Sequence, residues 1–450
     1  MQDYDILVAG AGASGMCAAI AAAREGKRVL LVEKGGMLGG SNTQSLVCPL
    51  MGFHAGGRQA VRGLAQEIVD RLARRGGTLG HIPDPLGVTA TITPIEPEIL
   101  KQVYFEMLRE EKNITLLLHT LITGAAVEQG RLAQVEAAHK GGKALFRAGV
   151  MIDATGDGDL AALAGVPCVF GREKDGLAQP MTLVIKIGGV EYPKIRAAMA
   201  ARPDQFVLRK GALEDSYVAV SGYFEAVEQA RSRGELTLPR DRVLLFQGVR
   251  EGEAILNMSR VVMKRSTDAW ELTQAETEGR AQADEILSFL KKNIEGFENA
   301  CLMETGAMIG VRESRHIQGR YTLTERDVVS GAEFEDAVAL CAFPIDIHDP
   351  QGKDLHWTKT DTAQCCEVPY RVMVPESVGN LLVTGRCVSA THEAAASVRI
   401  TPTAMALGEA AGIAAALAPS GRVDRVDAVG LRERIAQRGG VPGKKYMCKG

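Results

Sequence analysis

Short apolar runs separated by a glycine turn and a small-residue helix form the beginning of the chain. The run over 5–9 leads into the turn from Gly10 to Gly15 and then into an alanine-rich helix predicted over 16–25. Gly26 stops that helix, and 28–32 form a second apolar run. Continuous apolar runs are typical of parallel strands buried on both faces, so this pattern predicts a strand, helix, strand unit.

The following segment combines amphipathic helices with short strands. Apolar residues at helical spacing predict helices over 58–75 and 97–111. Further along, β-rich runs are interrupted by glycine turns, which indicates a small antiparallel meander. The predicted strands of this meander cover 114–118, 121–127, 131–138 and 144–148.

The strand-to-glycine-turn pattern occurs twice more. The apolar run 150–153 ends in a turn around Gly156, and the run 380–386 precedes a small-residue helix predicted over 402–417. The residues between these two segments lack the pattern. They mix predicted strands at 181–187 and 243–246 with predicted helices at 222–233 and 269–291.

Two domains follow from this arrangement. We predict an α/β protein whose Rossmann-like dinucleotide-binding domain is discontinuous and covers 1–170 and 376–450. That domain combines a parallel sheet with the small antiparallel meander. An α+β substrate domain is inserted over 171–375.

Composition excludes several classes of function. The 450 residues are 46% hydrophobic and 24% charged, and 52 basic against 55 acidic residues give a net charge of −3. Interspersed charge and an aromatic content of 5% argue against nucleic-acid binding. The 50 glycines are an excess, and many stand at strand-to-helix turns, where backbone often approaches a phosphate.

Targeting and metal signals are also missing from the sequence. The first residues have no secretory signal, and the apolar stretch 405–418 is interrupted by Glu409 and shorter than the roughly 20 residues a bilayer requires. We therefore expect a cytoplasmic protein without a membrane span. Nine cysteines occur without a C-x-x-C spacing, so iron–sulfur and zinc sites lack their usual signature and no metal is predicted.

The turn from Gly10 to Gly15 has the form G-x-G-x-x-G, between a strand and a helix, with Glu33 after the second strand. Glycines allow backbone to approach a pyrophosphate, the helix N terminus attracts its charge, and Glu33 can accept ribose hydroxyls. A turn that serves only helix packing is the alternative. FAD and NAD share this fingerprint.

Later segments favour FAD. They are Gly35 to Ser41, the Ala-Thr-Gly-Asp run at 154–157, Thr384-Gly385-Arg386, 310–319, 344–348 and 385–412. With these motifs the chain resembles the glutathione-reductase-like FAD proteins, in particular the FAD-dependent oxidoreductase family related to fumarate reductase flavoprotein subunits. The resemblance spans nearly the whole chain and is weakest over 190–300.

The resemblance implies a set of FAD-binding positions. Pyrophosphate is expected at the first glycine turn, the adenosine ribose at Glu33, adenine at the Leu121 backbone, the ribityl chain at the turn after Asp153, and the flavin ring at the remaining positions. The implied residues are Gly10, Gly12, Ala13, Ser14, Gly15, Glu33, Lys34, Gly40, Ser41, Leu121, Asp153, Ala154, Thr155, Gly156, Gly385, Arg386, Thr403 and Ala404. No histidine lies in 39–47, where relatives attach flavin covalently, so FAD is expected to be noncovalent.

Hydride transfer at the flavin needs an acid or base and an anion clamp opposite the ring. His392, just before the flavin-facing helix, is the best acid/base candidate, and Arg399 in the same segment is a candidate for holding an oxyanion. Arg312 and Arg315 would share a face if helical and bind a carboxylate, although structural ion pairing of these arginines with Glu313 or Glu325 is an equal alternative.

Other candidates are interpreted as structural. They are His54, His348, Tyr370, Arg371 and the adjacent pair Cys365 and Cys366. Adjacent cysteines form a strained disulfide, which argues against thiol exchange at that pair.

Three functions remain open. The first is an FAD-dependent dehydrogenase that moves a hydride between a small organic substrate and noncovalent FAD. The second is a reductase of an activated C=C bond, and the third is an FAD-binding subunit or sensor without turnover of its own. The predicted partners are a small-molecule substrate and an electron donor or acceptor, and a homo-oligomer is open.

Overall fold

The computed structural model describes residues 3–352, 355–357 and 361–449. Helices begin and end close to the predicted positions, except that the one predicted over 58–75 starts only after Gly63, which has a left-handed φ of +61°. Arg58 and Gln59 form a short strand instead. The helices are α1 (Ala13–Arg24), α2 (Leu64–Arg74), α3 (Pro97–Glu110), α4 (Asp159–Leu163), α5 (Tyr192–Ala201), α6 (Phe224–Ser232), α7 (Ala269–Asn293), α8 (Glu325–Ser330), α9 (His392–Val398), α10 (Thr401–Leu417) and α11 (Ala428–Gln437).

The strands are short outside the first sheet. They are β1 (Asp3–Ala9), β2 (Val29–Val32), β3 (Leu50–Met51), β4 (His54–Ala55), β5 (Arg58–Gln59), β6 (Ile82–Pro83), β7 (Thr91–Thr93), β8 (Ile114–Leu117), β9 (Leu121–Glu128), β10 (Arg131–His139), β11 (Gly142–Asp153), β12 (Cys168–Phe170), β13 (Ile185–Gly188), β14 (Ala219–Gly222), β15 (Val243–Gln247), β16 (Ala254–Leu256), β17 (Cys301–Thr305), β18 (Arg315–Ile317), β19 (Ala337–Cys341), β20 (Asp346–His348), β21 (Leu355–Trp357), β22 (Cys366–Pro369), β23 (Leu381–Val383) and β24 (Cys448–Lys449).

A single sheet contains both the predicted parallel strands and the predicted meander. Its order is β8-β2-β1-β11-β10-β9, and β23 pairs with β11 as well. Strand β11 explains the continuity. Its first half pairs antiparallel with β10, and its second half pairs parallel with β1 and β23. The two segments predicted separately at 144–148 and 150–153 are therefore one strand, and the α/β fold class is confirmed.

Helices α1 and α10 cross at close range behind this sheet. The contact depends on glycines, because a Cβ on Gly408 would collide with the Ser14 carbonyl and one on Gly412 with the Ala18 carbonyl. Small residues let two helix backbones approach closely. This packing sets the N terminus of α10 beside the first glycine turn, as the dinucleotide-binding pattern requires.

The second sheet has the order β14-β15-β16-β13-β17 and carries its own hydrophobic core, with α7 against it. That core draws on residues between Met181 and Ile309. Residues from Leu323 to Val374 pack instead into the first core. The separate core thus ends well before residue 375, where the sequence pattern set the domain boundary, because β19 lies against α10 and β22 pairs with β19.

Glu409 is a buried carboxyl in the middle of α10. It is 4% exposed, and its Oε2 accepts a hydrogen bond from the Leu64 backbone N–H at 3.0 Å. Burial raises the pKa of Glu409 to about 7 from the ordinary value of 4.5. The protonated carboxyl is therefore favoured by folding, and its stabilising contribution is complete below pH 4.5 and lost as the pH rises through 7.

We expect this group to lower the free energy of unfolding by about 3 kcal/mol between pH 4.5 and 7.5. Glu409→Gln should flatten that pH dependence, because the amide stays neutral throughout. Urea denaturation of both proteins at several pH values measures the difference. Glu433→Gln on the exposed side of α11 is the control and should keep the wild-type profile. Parallel profiles for wild type and Glu409→Gln would contradict the prediction.

No single helix in the described residues is long and apolar enough to span a bilayer. Helices α9 and α10 together have the length and apolar composition of a membrane span, but the pair is bent by 89° between the two helices.

Candidate flavin and substrate site

The first glycine turn forms a cradle with one open position. Gly10 has φ +95°, and a Cβ there would lie 2.5 Å from the Ala154 carbonyl oxygen. A Cβ on Gly15 would collide with the Gly10 carbonyl. A Cβ on Gly12, in contrast, meets nothing within 4 Å, and Gly12 gives α1 no side-chain cap. Two glycines thus serve packing, while the third faces free space at a helix N terminus, the geometry a pyrophosphate requires.

Gly12→Val tests this assignment. The φ of −66° at Gly12 suits any residue, so the fold should tolerate the change with a loss of about 1 kcal/mol at most. The side chain would occupy the space that the phosphates need, and we expect FAD bound per polypeptide to fall about tenfold or more. Absorbance of the purified protein at equal folded concentration measures it.

The matched control is Gly57→Val, at an exposed glycine whose Cβ also meets nothing within 4 Å. It should keep full flavin content. Full flavin content in Gly12→Val would remove the turn from the cofactor site.

Glu33 lies against the same turn. Its Oε2 accepts from the Ala11 N–H and its Oε1 from the Gly35 N–H, each at 2.8 Å. Each oxygen keeps a further lone pair for a ribose hydroxyl. The Thr120 N–H donates to the Glu33 carbonyl at 3.0 Å, which brings Leu121 close to Glu33. The predicted ribose and adenine positions therefore adjoin. Lys34 is farther along, with Nζ 4.0 Å from the Asp157 carboxylate.

The second glycine turn is held by its own side chains. Asp153 Oδ1 accepts from the Thr155 N–H and hydroxyl at 3.0 and 2.7 Å, and Oδ2 accepts from the Ala161 N–H at 2.8 Å. Burial raises the pKa of Asp153. The Asp153 and Thr155 side chains shape the turn, and the ribityl contact at Asp153, Ala154, Thr155 and Gly156 stays a prediction.

Arg386 connects the second turn with the loop around residue 311. It donates to the Gly156 carbonyl at 2.6 Å, to the Asp157 carboxylate at 3.1 Å and to the Val311 carbonyl at 2.5 Å. Gly385 before it has φ +77°, and a Cβ there would lie 3.2 Å from the Ser14 Cβ. Arg386 therefore links the second glycine turn to the loop that contains Val311.

The turn Gly40–Asn42 meets the start of α10. A Cβ on Gly40 would lie 3.0 Å from the Gly12 Cα, so Gly40 and Ser41 adjoin the first turn. Asn42 is fully buried and donates to Thr401 Oγ1 at 3.2 Å, while its Oδ1 has no partner in the described residues.

Helix α10 begins without a side-chain cap and with Pro402 in its first turn, so its first N–H groups stay free for a ligand. The Thr403 hydroxyl donates to the Leu340 carbonyl at 3.2 Å, and Ala404 is 8% exposed. These two residues therefore offer backbone rather than side-chain contacts. The Ser14 and Thr384 hydroxyls form a hydrogen bond with each other at 2.9 Å.

A buried glutamate holds His392 by one ring nitrogen. His392 Nδ1 lies 2.9 and 2.8 Å from the two carboxylate oxygens of Glu313, which also accepts from the Gln179 N–H at 2.8 Å. Burial opposes ionisation of Glu313, but the nearby His316, with Nε2 3.6 Å away, and the hydrogen bond from His392 lower the pKa of Glu313 to about 2. Because an ionised carboxylate only accepts, His392 Nδ1 carries a proton and donates to Glu313. The Nε2 atom of His392 is buried and has no partner in the described residues.

Arg315 contacts Asp159 rather than the residues around His392, so the predicted carboxylate clamp of Arg312 and Arg315 is wrong. These residues are not helical, since Arg315 starts strand β18. Its guanidinium donates to Asp159 Oδ1 at 3.0 Å and to the Asp157 carbonyl at 2.9 Å. The structure thus gives Arg315 an ion pair, with Asp159 rather than with the predicted glutamates.

Arg312 and Arg399 instead lie near each other. Arg312 donates to the Pro180 carbonyl and the Thr182 hydroxyl, both at 2.6 Å, and Arg399 approaches Gln179 Oε1 at 3.5 Å. Withdrawal from water and the nearby Arg399 charge lower the pKa of Arg312. The described chain offers neither guanidinium a carboxylate in ion-pair range.

His348 also belongs to this region, although the sequence suggested only a structural role. Its Nδ1 accepts from Arg260 at 2.6 Å, and its Nε2 lies 3.2 Å from the Asp346 carboxylate. Because Nδ1 accepts, His348 is neutral and Nε2 carries its proton. Burial lowers the pKa of His348, while His348 and the nearby Arg399 hold the pKa of Asp346 down against its own burial.

The remaining candidates make structural contacts. His54 Nδ1 bonds to Thr91 at 2.9 Å, the Tyr370 hydroxyl donates to the Val423 carbonyl at 2.9 Å, and Arg371 pairs with Asp336 at 2.9 Å. Cys366 faces Cys341 across β22 and β19 rather than its neighbour Cys365.

Several residues of the site had no signal in the sequence. They are Asn42, Gln179, Arg240, Asn257, Arg260, Glu313 as the partner of His392, and Asp346. Glu313 and Asp346 lie in the segments 310–319 and 344–348 that carry the family resemblance, but no role was predicted for them there, and the other residues stand in no recognisable motif.

The fold and site define a dinucleotide-binding flavoprotein. The cofactor side consists of the glycine turn before α1, Glu33 after β2, and the uncapped start of α10, close to the buried Asn42, whose Oδ1 has no hydrogen-bond partner in the described residues. The residues present therefore fit FAD. The sequence profile of the FAD dependent oxidoreductase family matches residues 5–435. The chain belongs to this family and is an FAD-dependent oxidoreductase, which confirms the predicted family, enzyme class and cofactor.

Solved structures resemble the chain weakly. A geranylgeranyl bacteriochlorophyll reductase-like protein from Thermoplasma acidophilum is 14% identical, with a TM-score of 0.47 over 99% of this chain and 81% of that one. The p-nitrophenol 4-monooxygenase of Pseudomonas putida DLL-E4 is 11% identical, with a TM-score of 0.46 over 97% and 81%. The L-proline dehydrogenase of P. horikoshii is 13% identical, with a TM-score of 0.43 over 97% and 99%. No curated protein sequence matches the chain significantly.

Proposed function

We propose that this protein is a dehydrogenase, which oxidises a small organic substrate and passes the hydride to noncovalently bound FAD. The observation that carries the proposal is the state of His392. Its Nδ1–H donates to ionised Glu313, and its buried Nε2 has no hydrogen-bond partner in the described residues. A substrate that loses a hydride must also lose a proton, and a neutral imidazole is the group that accepts one.

Each residue has a distinct part in this proposal. FAD accepts the hydride at N5 when it is bound. His392 takes the proton at Nε2, and Glu313 fixes the tautomer and orientation of the ring, so Glu313 is a positioning residue. Arg399, which follows α9, faces the substrate beside Gln179 and holds a developing negative charge. Oxidised flavin is then regenerated by an external electron acceptor.

The first experiment is the visible absorption spectrum of the purified protein, before and after acid precipitation. Flavin released into the supernatant and identified as FAD supports noncovalent attachment, whereas flavin left in the pellet contradicts it. The holoenzyme is then mixed anaerobically with alcohols, amines, amino acids and hydroxy acids. Bleaching of the flavin band by one of these donors supports a dehydrogenase. Flavin that is reduced by none of them, but by dithionite and then reoxidised by an activated alkene, would overturn the proposed direction.

The cysteines bear on the predicted compartment. All nine are free thiols, and six of them are buried. Unpaired thiols suit a reducing environment, which supports a cytoplasmic location. Thiol labelling of protein isolated rapidly from cells would test it, because disulfide formation at these residues would argue for an oxidising compartment.

A further inference from the structure

A second histidine, His316, lies close to the same carboxylate that holds His392. The Nε2 atom of His316 is 3.6 Å from Glu313 Oε1, and His392 Nδ1 is 2.9 Å from that oxygen. The three residues, called the histidine triad below, are all buried. They come from strand β18, from the loop before it and from the start of α9. One buried carboxylate therefore serves two imidazole rings.

The hydrogen bond of His316 fixes the position of one of its protons. Its Nδ1 lies 3.2 Å from the Val388 carbonyl oxygen, and since a carbonyl only accepts, Nδ1 carries a proton. His392 also carries a proton on Nδ1, which donates to Glu313. The Nε2 atoms of both rings are buried and have no hydrogen-bond partner in the described residues. The position of one further proton, on one Nε2 or the other, therefore decides which ring is charged.

The surroundings of the two Nε2 atoms differ. The Nε2 of His316 is within ion-pair range of the ionised Glu313 carboxylate, so a proton there is attracted by the opposite charge, whereas a lone pair there is repelled. The Nε2 of His392 has no acceptor in the described residues, so a proton there would be a buried N–H without a partner. The further proton is therefore more favourable on His316 than on His392.

The charge of His316 bears directly on His392. A buried carboxylate beside a single histidine favours the imidazolium form of that histidine. If Glu313 acted on His392 alone, it would hold His392 in the protonated form, which cannot accept a proton from a substrate. A positively charged His316 offsets the charge of Glu313, so Glu313 can orient the His392 ring without protonating it.

We propose that His316 is doubly protonated in the resting enzyme and offsets the charge of Glu313, which keeps His392 a neutral base. His316 acts through Glu313 and is therefore a positioning residue for the proton transfer. This inference rests on the proposed function, because it gives the physical reason why His392 is able to take the proton of the substrate.

Other ionisable groups also lie near the histidine triad. On β18 they include Arg315, and on α9 or directly after it Glu393 and Arg399, whose positive charge acts on Glu313. The elements packed against β18 and α9 bring, apart from exposed side chains of α8, Cys168, Asp327, Asp346, His348, Arg386 and Cys387. All of these groups are present in every variant used below. A difference between wild type and a His316 variant therefore reports the charge of His316.

The protonation of the rings can be measured without turnover, by ¹⁵N NMR of FAD-loaded protein with labelled histidine. The chain has eight histidines, and the signals of His316 and His392 are identified by their loss in His316→Gln and His392→Asn. At neutral pH we expect both ring nitrogens of His316 to carry protons, and His392 to carry one on Nδ1 only. A His316 ring with one proton in the wild-type protein would overturn the proposal.

His316→Gln removes the charge and keeps an N–H donor in the region of Nε2. In this variant the ratio of protonated to neutral His392 at neutral pH should rise about tenfold or more, because the charge of Glu313 is no longer offset. His316→Asn, whose amide instead suits the hydrogen bond to the Val388 carbonyl, is a second neutral replacement with the same expected effect. His139→Gln, at an exposed histidine of β10, is the control and should leave the His392 signal unchanged. An unchanged His392 signal in the folded His316 variants would contradict the proposal.

The rate of substrate-driven flavin reduction is a second readout. With a donor found by screening, His316→Gln should reduce its flavin about tenfold more slowly than wild type at neutral pH, and approach the wild-type rate at higher pH, where His392 loses its added proton. A rate that is lowered by the same factor at every pH would show a merely structural role for His316.

The two proposals fail in different ways. If NMR shows a charged His316 and a neutral His392, but no donor bleaches the flavin, the role of His316 in the histidine triad stands and the dehydrogenase proposal fails. If a donor bleaches the flavin and His392→Asn slows the bleaching, while His316 is neutral, the dehydrogenase stands and the role of His316 is wrong.

Discussion

His392→Asn should slow substrate-driven reduction of the flavin by about 10²–10⁴-fold while FAD stays bound. The asparagine amide can take the place of Nδ1 and keep the hydrogen bond to Glu313, so the buried carboxylate is not left without a donor. What the variant lacks is Nε2, the buried ring nitrogen that has no hydrogen-bond partner in the described residues. Anaerobic stopped-flow measurement of flavin bleaching, with the donor found by screening, gives the rate.

His54→Asn is the matched control. His54 also uses Nδ1, in a hydrogen bond to Thr91 at 2.9 Å, and lies outside the site, so its variant should reduce flavin at the wild-type rate. Exogenous imidazole should restore part of the rate in His392→Asn alone. A fully flavin-loaded His392→Asn protein that turns over like wild type would show that His392 is not the base.

Lys186→Met should destabilise the protein by about 3–5 kcal/mol. Lys186 stands on β13 in the second core, with Nζ 2.7 Å from Glu96 and 3.0 Å from Glu253. All three side chains are 5–7% exposed. Glu96 also caps the start of α3, so this triad ties the second sheet to the first domain. Removal of the ammonium leaves Glu96 buried without this partner and Glu253 with only exposed Arg250, 3.9 Å away, and urea denaturation measures the loss.

Lys194→Met provides the contrast. Lys194 also contacts two glutamates, Glu191 at 3.1 Å and Glu298 at 3.4 Å, but these side chains are 40–46% exposed. Exposed pairs contribute little, so we expect a change below about 1 kcal/mol. The triple variant Lys186→Met, Glu96→Gln, Glu253→Gln should recover much of the stability lost in the single variant. Equal effects at Lys186 and Lys194 would mean that burial of the triad does not matter.

Local patterns were sufficient for the elements that build the cofactor side. The glycine turn, its flanking strand and helix, and Glu33 are contiguous in the chain, and the geometry of such a unit depends on neighbours a few residues away. For the same reason α3, α7 and α10 were predicted to within two residues at each end. The helix predicted from 58 began late because Gly63 adopts a left-handed conformation, which apolar spacing does not reveal.

The substrate side was predicted less well. His392 was singled out by its position before α10, but its partner Glu313 is 79 residues away and was considered only as a partner for Arg315. Arg315 was placed in the site on the premise of a helix, whereas β18 turns it toward Asp159. Cys366 likewise pairs across strands with Cys341 and not with the adjacent cysteine.

The sequence by itself therefore determined the α/β class, the dinucleotide turn and the FAD-dependent family. Those features follow from backbone requirements that adjacent residues satisfy. Tertiary structure decided which charges meet. The buried partners Glu313 and His392 are 79 residues apart in the chain, and Glu96 and Lys186 are 90 residues apart. Electrostatic energy depends on distance in space and on burial, and neither quantity is written in the local order of residues.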